Sequence, residues 1–89
     1  MVEASIIVKN ANGLHARPAG LFSKAANKYQ SDLKMIKNGD LGKSCNPKSI
    51  LSILSLGVYK GDQLTITASG VDEEAAVKEL ISILEQEID

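Results

Sequence analysis

Tryptophan is absent, and the aromatic residues are only Phe22, Tyr29 and Tyr59, so any core must be built from aliphatic side chains. Hydrophobic residues still make up 44% of the chain, which is enough for a globular fold and argues against disorder. The single cysteine, Cys45, excludes an internal disulfide, and one Cys with one His cannot furnish a conventional zinc site. A reducing, cytoplasmic setting is the expectation that follows. No apolar run reaches the length of a membrane span, and the N-terminus lacks the basic start and apolar middle of a signal peptide, so neither membrane insertion nor export is expected. With 89 residues, a single domain over residues 1–89 around one core is expected.

Charge is nearly balanced in sum but not along the chain. Residues 1–60 carry nine basic and three acidic groups, whereas 61–89 carry one basic and eight acidic, giving +6 and −7. An acidic partner could therefore find a basic face. The basic part has no interleaved aromatics, so a nucleic-acid platform is not expected.

Periodicity divides the chain into elements. In "VEASIIV", Val2, Ala4, Ile6 and Val8 alternate with Glu3, Ser5 and Ile7, as in a half-buried strand that runs out into the loop "KNANG". From Ala16 the spacing changes, and Leu21, Phe22, Ala25, Ala26 and Tyr29 recur as on one face of a helix with Pro18 in its first turn. Leu33 and Met35 alternate with Asp32 and Lys34 in a second strand. The turn signal "NGD" at Asn38 to Asp40 leads into a third, around Leu41 to Cys45. "NPKSILSILSLG" reads as a short apolar helix ended by Gly57. Its cap is either Asn46, with Pro47 first, or Ser49 in a later register. Leu64, Ile66 and Ala68 point inward from a fourth strand. A last helix carries Ala76, Val77, Leu80, Ile81, Leu84 and Ile88 on one face, with Asp72, Glu73 and Glu74 at its positive end. The order β-α-β-β-α-β-α, with strands that alternate, predicts an α/β open-faced sandwich: a four-stranded antiparallel sheet covered by three helices on one face.

The only histidine and the only arginine stand two residues apart in "GLHARPAG". His15 falls immediately before the predicted helix. Neutral imidazole has a lone pair that can take up a covalent group, and a helix start offers backbone N–H donors and a positive dipole end. Ala16, Arg17 and Pro18 make up that start, and the guanidinium of Arg17 matches phosphate oxygens in a way that Lys cannot. Three features that favour phosphate converge on one ring. The alternative is an exposed His beside a helix cap and a solvated Arg. Ser5, Ser23 and Ser31 make poor candidate nucleophiles, because no carboxylate is evidently placed to orient His15 as a base and so short a chain leaves little room for a substrate pocket. The chemistry points to carriage of a group, with no cofactor and no metal.

"GLHARPAGLFSKAANKY" followed by "NPKSILSILSLGVYKGDQLTITASGVDEEAAVKEL" resembles the HPr family, the histidine-containing phosphocarriers of the bacterial phosphoenolpyruvate-dependent sugar phosphotransferase system. The resemblance spans essentially the whole chain. It implies that His15 receives phosphate on Nδ1 from enzyme I and passes it to sugar-specific enzyme IIA domains, with Arg17 assisting. It also implies that Ser49 is the serine modified by HPr kinase/phosphorylase, in a form read by a catabolite-control regulator. Partners would dock around His15 through Gly20, Leu21, Ile50, Leu51 and Leu54, with Lys24, Lys28 and Lys48 as steering charges. At least two of Ile50, Leu51 and Leu54 are expected to be exposed, since this segment holds more apolar residues than one buried helix face accommodates. A monomer is the expected state, because a carrier must expose His15 to successive partners.

Two departures from the family pattern stand out. "MIKNGDLGKSCNP" is longer than in typical members, with the extra length at the Asn38-Gly39 turn. Gly20 replaces the usual Thr or Ala, and Ser52 a common Gly. These changes bear on partner choice more than on chemistry. The competing readings are a related carrier in a nitrogen-linked or dihydroxyacetone-kinase relay, and a regulatory binding module whose His15 is never phosphorylated.

Overall fold

The computed structural model describes residues 1–9 and 13–86. Its elements are β1 (Val2–Ile7), α1 (Ala16–Ala26), β2 (Asp32–Lys37), β3 (Asp40–Cys45), α2 (Ile50–Leu56), β4 (Gln63–Ser69) and α3 (Glu73–Glu85), in the order read from periodicity. Part of the loop after β1, residues 10–12, and Ile88 of the last apolar stripe lie outside the described residues. The strands make one antiparallel sheet in the spatial order β1-β4-β2-β3, so the last strand in the chain is an interior one.

Register decides which side chains share a face. Val2 pairs with Ala68, which continues to Leu33, and Ala4 pairs with Ile66, which continues to Met35 and Cys45. These rows point towards the helices and join Phe22 and Ala26 of α1, Ile53 of α2, and Ala76 and Leu80 of α3 in one aliphatic cluster. The opposite rows are mostly polar, with Glu3, Thr67 and Lys34 in line and a hydrogen bond of 2.8 Å between Ser5 and Thr65. Alternation with one face polar is what a sheet covered on one side requires. At the end of one inward row, burial pushes the Cys45 thiol up to about 11, so it stays protonated at neutral pH.

The helices differ from the pattern in two places. The buried stripe of α1 is Pro18, Ala19, Phe22, Ser23, Ala25 and Ala26, while Leu21 faces outward and Tyr29 lies beyond the helix end. Adjacent helical residues are rotated by about 100°, and a stripe centred on Phe22 and Ala26 therefore leaves Leu21 on its flank. For α2, the structure selects the later of the two registers. Ser49 is the cap and accepts a bond from the Ser52 N–H at 3.3 Å, whereas Asn46 accepts the Lys48 N–H in a preceding turn. Gly57 closes the helix in the left-handed conformation, at φ 69°.

Polar ties lock the helices to the sheet and to each other. Tyr29 donates its hydroxyl to Glu79 of α3, which also pairs with Lys28 at 2.6 Å, and that hydrogen bond is the main cause of a Tyr29 pKa pushed up to about 12. Asp72 stands at the cap position of α3 but makes no side-chain bond to its own helix. Its carboxylate instead accepts the Gln30 and Ser31 N–H groups and the Ser31 hydroxyl, fixing the start of α3 against the start of β2.

Candidate functional site

The site begins where the chain leaves β1. Val8 and Leu14 are both buried, and each is bonded to the turn between α2 and β4: the Val8 N–H donates to Asp62 O at 2.9 Å and the Leu14 N–H to Val58 O at 3.1 Å. Between Leu14 and the loop sits Gly13 at φ 64°, so close to the turn that a Cβ there would lie 2.2 Å from Val58 O. His15 is therefore delivered to the start of α1 from a pinned backbone.

His15 itself is the N-cap residue, with extended backbone at φ −86° and ψ −172°, and its carbonyl accepts the Ala19 N–H at 3.0 Å. Its ring makes no capping bond, which leaves the imidazole available for other chemistry. One ring nitrogen, Nε2, is buried and has no hydrogen-bond partner among the described residues, while the residue as a whole is partly exposed. Pro18 contributes no N–H to the first turn, so Ala16 and Arg17 supply the N–H groups of this helix start. Arg17 is exposed.

A second constellation lies at α2. Ile50 is 44% exposed, Leu51 77% and Leu54 38%, and Leu21 on α1 is 46% exposed. Only Ile53 of α2 is buried. All three of these α2 positions are exposed, where at least two were expected, and the fully buried side chain of this short helix is Ile53. Gly20, on the same helix as Leu21, has nothing within 4 Å of the position a Cβ would take, so a side chain there would add surface without displacing anything.

The three lysines proposed as steering charges are placed differently from one another. Lys24 is exposed. Lys28 is exposed but paired with Glu79, and Lys48 donates its ammonium to Tyr29 O at 2.9 Å, beyond the end of α1. Moreover, the Lys48 carbonyl accepts from Ser23 Oγ and Asn27 Nδ2, both at 2.9 Å. Lys48 is thus a structural brace that holds Ser49 against α1. The bracing role of Asn27 and Ser23 has no signal in the sequence, since their partner is a backbone carbonyl distant in the chain.

Among the described residues, no group of three or more His, Cys, Asp or Glu comes together that could hold a metal ion. Nor is any helix there long and apolar enough to cross a membrane.

Comparison with known proteins decides the family. Residues 2–86 match the family model described as the PTS HPr component phosphorylation site. The chain belongs to the HPr family. It is 40% identical over 86 residues to the phosphocarrier protein HPr of Mycoplasma pneumoniae, covering 97% of this chain and 96% of that one. Among solved structures, an HPr from Thermoanaerobacter tengcongensis superposes with a TM-score of 0.86 at 44% identity, covering 96% of this chain and 92% of that one. The HPr family also includes catabolite-repression relatives. Crh of Bacillus subtilis, solved as a dimer with a swapped domain, matches with a TM-score of 0.74 at 38% identity, covering 99% of this chain and 98% of that one. Dimers among such neighbours are not in line with the expectation of a monomer. The HPr relatives do support the open-faced sandwich and a role in group carriage.

Proposed function

We propose that this phosphocarrier takes up a phosphoryl group from enzyme I on Nδ1 of His15 and passes it to sugar-specific enzyme IIA domains. The observation that carries this reading is the placement of the ring: it caps α1 without spending a nitrogen on the cap, with Nε2 shut away. In the transfer, the Nδ1 lone pair attacks phosphorus while the bond from phosphorus to enzyme I breaks, and in handing the group on, a nucleophile of the enzyme IIA domain attacks the same phosphorus while the P–Nδ1 bond breaks. The added negative charge meets the N–H groups and positive dipole end of the helix. Incubation with enzyme I and phosphoenolpyruvate tests the reading. A gain of one acid-labile phosphoryl group supports it, and a protein that stays unmodified would be a regulatory binding module instead.

Arg17 follows the moving charge. Its guanidinium offers a bidentate fork that matches phosphate oxygens. Arg17→Lys is expected to slow uptake from enzyme I by roughly tenfold, with the melting temperature nearly unchanged, since charge survives but fork geometry does not. Stopped-flow or quench measurements of uptake would show this, and equal rates would reduce Arg17 to a solvated side chain.

The docking surface is the exposed apolar group of Leu21, Ile50, Leu51 and Leu54, flanked by Gly20 and Lys24. Ser49 sits at its edge as the cap of α2, which is where the proposed HPr kinase/phosphorylase would act to make the form read by a catabolite-control regulator. A phosphate at a helix start is locally favourable, yet here it places charge beside an apolar patch that partners must desolvate. Ser49→Asp should therefore hold or slightly raise the melting temperature while slowing uptake from enzyme I, and Ser49→Ala should transfer at the normal rate. Full-speed transfer by stoichiometrically phosphorylated protein would leave Ser49 as a cap alone.

A further inference from the structure

Both feet of the loop that carries His15 stand on a single turn. At its entry, the Val8 N–H donates to Asp62 O and the Val8 carbonyl accepts the Gly61 N–H, each at 2.9 Å. At its exit, Leu14 is bonded to Val58 O and Gly13 is packed against that same carbonyl. The turn between them has little hydrophobic support, since Tyr59, Lys60 and Gly61 are all exposed. Its shape is held by Asp62. That carboxylate accepts the Tyr59 N–H on Oδ2 at 2.9 Å, and the Asp62 N–H donates to Tyr59 O at 3.0 Å, closing the turn from both ends.

Asp62 is in turn oriented from outside. The Asn38 side chain donates from Nδ2 to Asp62 Oδ1 at 3.1 Å and accepts the Gln63 N–H on Oδ1 at 2.8 Å. The Asn38 N–H reaches Gln63 O at 2.7 Å. Asn38 sits at φ 53° in the β2–β3 turn. The Tyr59 N–H, and after it Asn38, hold the Asp62 carboxyl below the usual carboxylate range, so it is ionised at neutral pH.

We propose that Asp62, held in place by Asn38, is a positioning residue for His15: it sets the turn on which both ends of the His15 loop are anchored. The inference rests on the reading of His15 as a phosphoryl acceptor. Phosphoryl transfer needs the ring nitrogen in line with an incoming phosphorus, and small misplacements of a reacting group cost rate out of proportion to their size. A charged acceptor fixing two donors at once is a stiff support for that geometry. The β2–β3 turn thereby acts on the active site although it lies on another part of the fold.

The test uses the whole chain with Asp62→Ala, Asp62→Asn and Asn38→Gly, the last keeping the positive φ while deleting only the side chain. Three quantities are measured well below the melting temperature: NMR resonances of the His15 ring with the Gly13 and Leu14 amides, the initial rate of uptake from enzyme I, and final phosphoryl stoichiometry. Asp62→Ala and Asn38→Gly are expected to move the His15 resonances and to slow uptake by roughly tenfold, with one phosphoryl group still gained at the end. Asp62→Asn, which keeps one acceptor oxygen, should recover part of the rate. The double variant should be no slower than Asp62→Ala alone, because both act through one support. If Asp62→Ala fails to fold, Asn38→Gly carries the same test. A lowered melting temperature with unmoved His15 resonances and a normal uptake rate would overturn the proposal, leaving Asp62 merely structural. Were the wild-type chain to take up no phosphoryl group, the phosphocarrier reading would fail, whereas the His15 resonances would still decide whether Asp62 positions the ring.

Discussion

His15→Ala is expected to take up no phosphoryl group from enzyme I, a complete loss where other substitutions only slow transfer. The chain has no second imidazole, and its one thiol, Cys45, is held protonated by burial, so it offers neither another imidazole nor a thiolate in place of His15 at neutral pH. The fold should survive. The His15 ring makes no capping bond, and the contribution of this residue to the helix start comes from its carbonyl, which Ala retains. Stability should therefore change by no more than about 1 kcal/mol. Intact-mass measurement after incubation with enzyme I and phosphoenolpyruvate checks the first point, and thermal unfolding the second. An acid-labile phosphoryl group on the variant would end the assignment of His15.

Gly13→Ala should be the most damaging single methyl group in the site. A Cβ at that position would lie 2.2 Å from Val58 O and 2.7 Å from Tyr59 Cα, both backbone atoms that cannot rotate away, and the φ of 64° is itself unfavourable for alanine. Either the loop or the 58–62 turn must move. Overpacking and left-handed strain together are worth roughly 3 kcal/mol, which for a chain of this size lowers the melting temperature by about 15 °C. Phosphoryl uptake should fall as well, even at temperatures where the variant is fully folded, because the displaced backbone is the one that delivers His15. Chemical unfolding monitored by circular dichroism, paired with uptake rates at low temperature, separates the two effects. A variant of wild-type stability would mean that the loop is not seated on Val58. Gly20 is the contrasting case: there a methyl meets nothing within 4 Å, so Gly20→Ala should be harmless to the fold.

The strands, their alternation and the element order were legible in the chain because each strand buries one face only, and a period of two survives in composition. The placing of His15 and Arg17 at a helix start was legible for a different reason. A histidine, an arginine and a proline at a helix start form a local arrangement, and helix starts are specified by neighbouring residues. Where local signals competed, sequence could not choose. Asn46 and Ser49 are both good caps, and only the docking of Lys48 between Ser23, Asn27 and Tyr29 selects Ser49 as the cap that forms. Likewise, Leu21 belongs to the apolar pattern of α1 but lies on its flank once Phe22 and Ala26 are turned to the sheet.

By itself, the sequence determined the kinds and order of the elements and the place of the one histidine at a helix start. Tertiary structure alone decided which ring nitrogen is shut away, which apolar side chains of α2 project, and which turn supports the His15 loop. The physical reason is separation along the chain. Val8 and Leu14 meet Val58 and Asp62 only after β4 has been inserted between β1 and β2, and Asn38 reaches Asp62 only because the same insertion brings the β2–β3 turn alongside. Pairings of that kind depend on strand order, which no local period encodes.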